Sequence, residues 1–227
     1  MTLSHGYLQS YFSASSILEV KTDCESFING SIDYSGYLSN VETIIPSVKK
    51  IIDSASLRSL ASRLLRTERP ILCTTELHTQ FSEGISIPPH QDNFYHCISS
   101  GNGVKILVPL SNLNLSNGAL SYYDVPFDHR VLKHVASTRR NFSSFIPPDI
   151  VAEIPFSTTC YDLNIGDISY HFLNSIHFSH SNGTSTPASF LVFRFHHQDA
   201  IQSPEMLKEY SIVYNQHLVL TGNIKKV

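Results

Sequence analysis

The rhythm of hydrophobic and polar positions changes once along this chain. Before residue 70 the clearest pattern is helical. Between Pro46 and Thr67, Val48, Ile51, Ile52 and Ala55 recur at helical spacing, followed by Leu60, Leu64 and Leu65. Ser54 is placed to cap a second helix after a break, and Pro70 ends the segment. Such a helix is expected on the outside of a sheet. From residue 71 the chain reads as short strands rich in Ile, Val, Phe, Tyr and Thr, at 71–76, 77–82, 104–110, 119–124, 158–163, 168–173 and 188–197. Residues 112–118 and 179–187 carry turn residues, and both connections predict hairpins. Residues 128–148 show few strand signals and form the longest predicted loop, a length that often covers a site. Together the pattern predicts a mainly β fold with flanking helices, a cupin-like double-sheet jelly roll. One domain over 1–227 is expected: a helical part at 1–70 packing on the sheet, a jelly-roll core at 71–197, and a C-terminal extension at 198–227.

Composition narrows the class. With 227 residues and 41% hydrophobic content, the chain can bury a sizeable core. The formal charge of −3 and the lack of any Lys/Arg run give no nucleic-acid footprint, and Arg139-Arg140 reads as a solvated loop. No apolar run approaches the roughly 18 residues of a membrane span. The start, MTLSHGYLQSYF, lacks the basic and apolar regions of a secretory signal. Cys24, Cys73, Cys97 and Cys160 are scattered without a CxxC pair, which predicts reduced thiols in a cytoplasmic setting and no cysteine-ligated zinc.

Candidate chemistry sits at Pro88-Pro89-His90-Gln91-Asp92-Asn93-Phe94-Tyr95. A His and an Asp two positions apart on a strand point to one side, and a His from a distant strand would complete one face of a metal site. Three such ligands leave coordination positions open, the arrangement that suits ferrous iron and dioxygen. The spacing alone carries little weight, because the chain holds 12 His and a second match at His197-Gln198-Asp199. That second copy lies near the C-terminus and predicts a strand end or loop. His171, His177 and His180 compete as the distant partner. On a continuous strand His171 and His177 share a face, and His180 lies on the other.

With PPHQDNFY at 88–95, VKILVPL at 104–110, NGAL at 117–120 and GDISYHFLNSIHFSHSN at 166–182, the chain resembles the phytanoyl-CoA dioxygenase-like branch of the iron(II)/2-oxoglutarate oxygenases. The likeness covers roughly residues 45–197 in the right order. It implies a double-stranded β-helix, iron(II) on His90, Asp92 and His177, and 2-oxoglutarate and dioxygen as co-substrates. It also implies hydroxylation of a small molecule, with succinate and carbon dioxide as co-products. His171 would then lie behind the ligands or near the substrate. Ser179 and Gln91 match family positions near the co-substrate, while Asn93, Tyr95 and Tyr122 are placed to line the substrate side.

One departure stands out. The family usually anchors the far carboxylate of 2-oxoglutarate with an Arg shortly after the distal His, yet residues 185–189 contain no Lys or Arg. A buried dicarboxylate needs a cation. The apolar strands offer two, Lys105 and Arg194. Other classes stay open on these residues: an iron oxygenase acting on a directly chelated substrate, a cupin-like isomerase or hydrolase, or a metal-binding sensor.

Overall fold

The computed structural model describes residues 2–82 and 84–223. In chain order the elements are β1 (His5–Leu8), α1 (Ala14–Gly30), β2 (Tyr37–Ser39), α2 (Lys49–Ile52), α3 (Ala55–Leu65), β3 (Ile71–Gln80), β4 (Ile87–Gln91), α4 (Asn93–His96) and β5 (Gly103–Pro109). There follow β6 (Leu120–Tyr123), β7 (Val135–Ala136), β8 (Ser144–Phe145), α5 (Pro148–Ala152), β9 (Thr158–Cys160), β10 (Ile168–Phe172), β11 (Ile176–Ser179), β12 (Ala188–His196) and α6 (Pro204–Leu220). A six-stranded sheet, β1-β10-β5-β12-β3-β2, faces a four-stranded one, β4-β11-β6-β9. The fold is a jelly roll of antiparallel strands with helices outside.

Alternation along the strands explains the layering. On β5, Val104, Ile106 and Val108 join Ile17, Val20, Leu57 and Leu60 in a core between the large sheet and the helices α1 and α3. Leu107 points the other way, into a second apolar cluster with Ala188, Phe190 and Val192 inside the barrel. β12 is therefore covered on both faces, which is why Phe-Leu-Val-Phe reads as a continuous apolar run. Ser13 and Ser54 cap α1 and α3, each hydroxyl accepting a backbone N–H at 3.3 Å.

Several sequence expectations need correction. Residues 71–80 form one long strand, not two, whereas the break before Ser54 and the helix it caps, α3, lie where the pattern places them. The segments at 112–118 and 179–187 are not hairpins. Each carries the chain from one sheet to the other, since β5 and β12 belong to the large sheet and β6 and β11 to the small one. The N-terminal part is not purely helical, because β1 and β2 form the two edges of the large sheet. Turn chemistry is local and was legible; strand partners are chosen by distant segments.

The Gly166-Asp167 pair has an architectural role. Gly166 sits at φ +100°, and an added Cβ would lie 2.7 Å from the Phe12 carbonyl oxygen. Asp167 accepts the Ser10 and Asn164 N–H groups at 2.7 and 2.8 Å, tying the N-terminal segment to the start of β10.

Candidate metal centre

β4 and β11 pair so that His90 and His177 are directly opposite, with Tyr122 of β6 next in the row. Asp92 follows the end of β4 and turns its carboxylate into the same space. The ligand atoms of His90, Asp92 and His177 all lie within 4.8 Å of one another, and His177 Nε2 is 3.8 Å from Asp92 Oδ2. All three residues are buried.

The tautomers are set by the strands themselves. His90 Nδ1 lies 3.0 Å from the Pro88 carbonyl and His177 Nδ1 3.1 Å from that of Ser175, so both donate there. The Nε2 lone pairs are left for a metal. Burial pushes His90 down to about 4, with Lys105 and His171 adding to the shift. Burial, then His90 and His171, hold His177 well below its ordinary value. Both rings are neutral at physiological pH, the state that ligates. Burial opposes ionisation of Asp92, but Lys105, His177 and His171 hold its carboxyl well below the usual range.

The surrounding groups fall into two sets. Lys105 Nζ donates to Asp92 Oδ1 at 3.0 Å and lies 3.8 Å from Glu76 Oε2. His171 Nε2 lies 3.0 Å from Asp92 Oδ2 and, as the donor, leaves its buried Nδ1 unpartnered. It presents Nε2 to the carboxylate, where His90 and His177 anchor their Nδ1 on backbone carbonyls, which marks it as a holder of Asp92. His171 and His177 are not on one continuous strand. The chain turns between β10 and β11, and the two rings meet across the barrel with centroids 4.4 Å apart. Tyr122 is buried beside both.

A second set covers the triad. Phe142, in the long 128–148 segment, sits edge-on to His90 at 5.0 Å, and the Tyr95 ring is 6.1 Å from His90. The Tyr95 hydroxyl donates to the Ser144 carbonyl at 2.7 Å, so this segment does lie over the site.

Two residues expected in the pocket face elsewhere. Gln91 donates to the carbonyls of Arg130 and Asn174 and accepts the Leu132 N–H, bolting the loop to the ligand strand. The reason is alternation: next to the inward-facing His90 on β4, Gln91 points out. Asn93 brackets Ile98 and Asn174 and borders an outer cleft of about 500 Å³ between residues 128–133 and α6. Ser179 is buried and its hydroxyl accepts from Gln80 at 3.4 Å. Arg194 lies on the inner face opposite Lys105, its Nη1 2.6 Å from His96 Nδ1. Sequence reasoning gave no role to Glu76, His96 or Phe142; a lone acid in the strand Cys-Thr-Thr-Glu-Leu-His was the available signal for Glu76. His197 and Asp199 lie beyond the end of β12, away from the triad, as a strand end predicts.

No family model matches the chain, and neither does any curated protein. Solved structures do match in fold. The epimerase SnoN in complex with Fe3+, alpha ketoglutarate and nogalamycin RO superposes with a TM-score of 0.73 at 15% identity, covering 89% of this chain and 82% of that one. EvdO2 from Micromonospora carbonacea var. aurantiaca, complexed with 2-oxoglutarate, gives 0.72 at 19% identity and 89% of both chains. EctD from S. alaskensis, with 2-oxoglutarate and 5-hydroxyectoine, gives 0.72 at 15% identity, covering 88% of this chain and 74% of that one. At these identities the likeness is one of fold.

Proposed function

We propose that the chain is an iron(II)/2-oxoglutarate-dependent oxygenase acting on a small molecule, with hydroxylation as the outcome. The observation that carries this reading is the convergence of two tautomer-locked imidazoles and one carboxylate within 4.8 Å. It occurs in a fold shared with proteins crystallised with 2-oxoglutarate or Fe3+. The donor set fits iron(II): neutral Nε2 atoms from His90 and His177, an ionised Asp92, and further coordination positions for co-substrate and dioxygen. When bound, iron would supply dioxygen activation coupled to decarboxylation of 2-oxoglutarate to succinate.

The chain's own residues supply positioning. His171 and Lys105 hold the two oxygens of Asp92, which fixes the carboxylate before a metal arrives. Tyr122 and His171 form a wall beside His177, and Tyr95 and Phe142 screen His90 from water. Four unpaired thiols fit a reducing, cytoplasmic setting. Among the described residues no helix is long and apolar enough to cross a membrane.

A second reading has one observation in its favour. Residues 185–189, where the resembled family carries its Arg, hold no Lys or Arg, and Ala188 among them packs into an apolar cluster. An iron oxygenase that chelates its substrate directly needs no such cation. Anaerobic addition of iron(II) and then 2-oxoglutarate separates the two. A visible charge-transfer band and metal-dependent succinate release support the first. No band at saturating co-substrate, with iron bound, refutes it in favour of the second.

A further inference from the structure

One buried polar cluster takes no part in the chemistry above. His5 of β1 is the register partner of His171 on β10, so the two share the inner face of the large sheet. The His5 side chain is fully buried, with Nδ1 2.9 Å from the Tyr161 hydroxyl and Nε2 3.2 Å from Asp124 Oδ1. An ionised carboxylate only accepts, so the ring proton sits on Nε2 and Nδ1 accepts the Tyr161 O–H. Burial opposes ionisation of Asp124, but the Ser157 and Thr159 hydroxyls hold its carboxyl below the usual value. Burial keeps His5 below its ordinary value against the pull of Asp124, which leaves the ring an uncharged base. The Tyr161 phenol is pushed by burial up to about 12 and keeps its proton unless an electron departs as well.

This pairing sets Tyr161 apart. Tyr11 and Tyr95 donate to the carbonyls of Ser56 and Ser144, and Tyr122 meets the Ser169 hydroxyl at 3.5 Å. Among the described residues Tyr161 alone has its hydroxyl hydrogen-bonded to an imidazole. Aromatic rings also join it to the candidate metal site. The Tyr122 ring lies 6.2 Å from that of His177 and 6.0 Å from that of Tyr161, and it stacks on His5 at 4.8 Å. On the outer side the half-buried Tyr7 stacks on Tyr161 at 5.5 Å.

We propose that Tyr161, with His5 as its proton acceptor and Asp124 behind it, is a redox-active tyrosine serving the metal chamber through Tyr122. One electron leaves Tyr161 and reduces a dioxygen-derived oxidant at the metal. The phenolic proton moves to His5 Nδ1, which gives a neutral phenoxyl radical and an imidazolium facing the Asp124 carboxylate. A soluble thiolate arriving on the Tyr7 side returns the electron and leaves as a thiyl radical, while the His5 proton goes back to the phenol. The route consumes an oxidant formed with no substrate seated, before it attacks the ligands. That oxidant rests on the oxygenase reading above; the Tyr161–His5 pair does not.

The first arm of the test uses metal-free protein and photogenerated ruthenium(III) tris-bipyridine as the oxidant. The radical is followed by electron paramagnetic resonance, trapped with a nitroso compound and located by peptide mass spectrometry. In wild type the trap should land on Tyr161 ahead of the rest of the 11 tyrosines, and formation should be slower in deuterium oxide. Tyr161→Phe should lose the adduct. His5→Asn keeps an acceptor without a base and should slow radical formation at Tyr161 by at least about tenfold. The second arm supplies iron(II), 2-oxoglutarate and dioxygen without substrate, and the radical should reach Tyr161 in wild type but not in Tyr122→Leu. A trap spread over other tyrosines, or wild-type rates in His5→Asn, overturns the proposal. So does a second arm with the charge-transfer band and dioxygen uptake but no Tyr161 radical. If band and uptake are both absent while the first arm succeeds, the oxygenase reading falls and the Tyr161–His5 redox pair stands. Tyr161→Phe removes only a hydroxyl and keeps the test valid if His5→Asn does not fold.

Discussion

Replacing Lys105 with Met removes a charge while nearly preserving volume, so the response is electrostatic rather than a cavity effect. In the apoprotein Lys105 is the cation that Asp92 meets at 3.0 Å and Glu76 at 3.8 Å, in a chamber where its side chain is 14% exposed. At an effective dielectric of about 20, the Asp92 contact alone is worth roughly 5 kcal/mol of gross attraction. Burying the ammonium offsets part of this, and breaking such a pair costs on the order of 3 kcal/mol net. For a chain of this size that is a fall in Tm of roughly 6–12 °C. A divalent ion restores positive charge beside Asp92 and no longer meets a neighbouring ammonium. Lys105→Met should therefore bind Zn(II) or Mn(II) more tightly than wild type, and saturating metal should narrow the stability gap. Urea unfolding with and without metal, together with a direct metal titration, measures both effects. An apo stability within about 0.5 kcal/mol of wild type, or a gap that widens on adding metal, refutes the assignment.

Three further outcomes follow from the contacts. Gln91→Ala removes three hydrogen bonds, two that bolt Arg130 and Leu132 to β4 and one to the Asn174 carbonyl. A loss of about 2–3 kcal/mol and faster amide exchange over 130–134 are expected, with metal affinity nearly unchanged; lost metal with an intact loop would contradict this role. His134 is pushed by burial down to about 4, and its Nε2 accepts the Gln91 N–H. Above pH 6.5 both states are neutral, but below it the unfolded chain takes up a proton that the folded one resists. Stability should fall from pH 6.5 towards 4 by on the order of 3 kcal/mol from this group. Unfolding curves across that range should flatten in His134→Asn, and an unchanged slope counts against the assignment. Phe142→Ala uncovers His90. Chelators should strip metal faster with little change in Tm, and an unaltered rate would show that Phe142 is no cover.

The candidate ligands were legible because short-range rules act on them. The sequence spacing places His90 and Asp92 together, although Asp92 lies one residue past β4 with helical backbone angles and turns back into the same space; the Lys105 side follows from the apolar neighbours of its own strand. Alternation on β4 turns Gln91 outward, so family resemblance misplaced it where parity alone would not. Glu76 and His96 escaped notice because their meaning lies in what they face: Lys105 for one and Arg194 for the other. Likewise, the turn residues at 112–118 and 179–187 say that the chain reverses there. They do not say which sheet receives it.

Local propensity and hydrophobic period, which depend on neighbours a few residues away, were enough to determine a mainly β jelly roll with an outer helical layer. The sequence also specified His90 and Asp92, two of the three residues of the candidate metal site. Only the tertiary structure decided that β11 pairs with β4 and sets His177 opposite His90. It alone decided that His171 donates to Asp92, that Lys105 meets carboxylates and that Arg194 meets the His96 ring. Those outcomes depend on strand register and on which charges share a low-dielectric chamber. Both are settled by contacts between residues far apart in the chain.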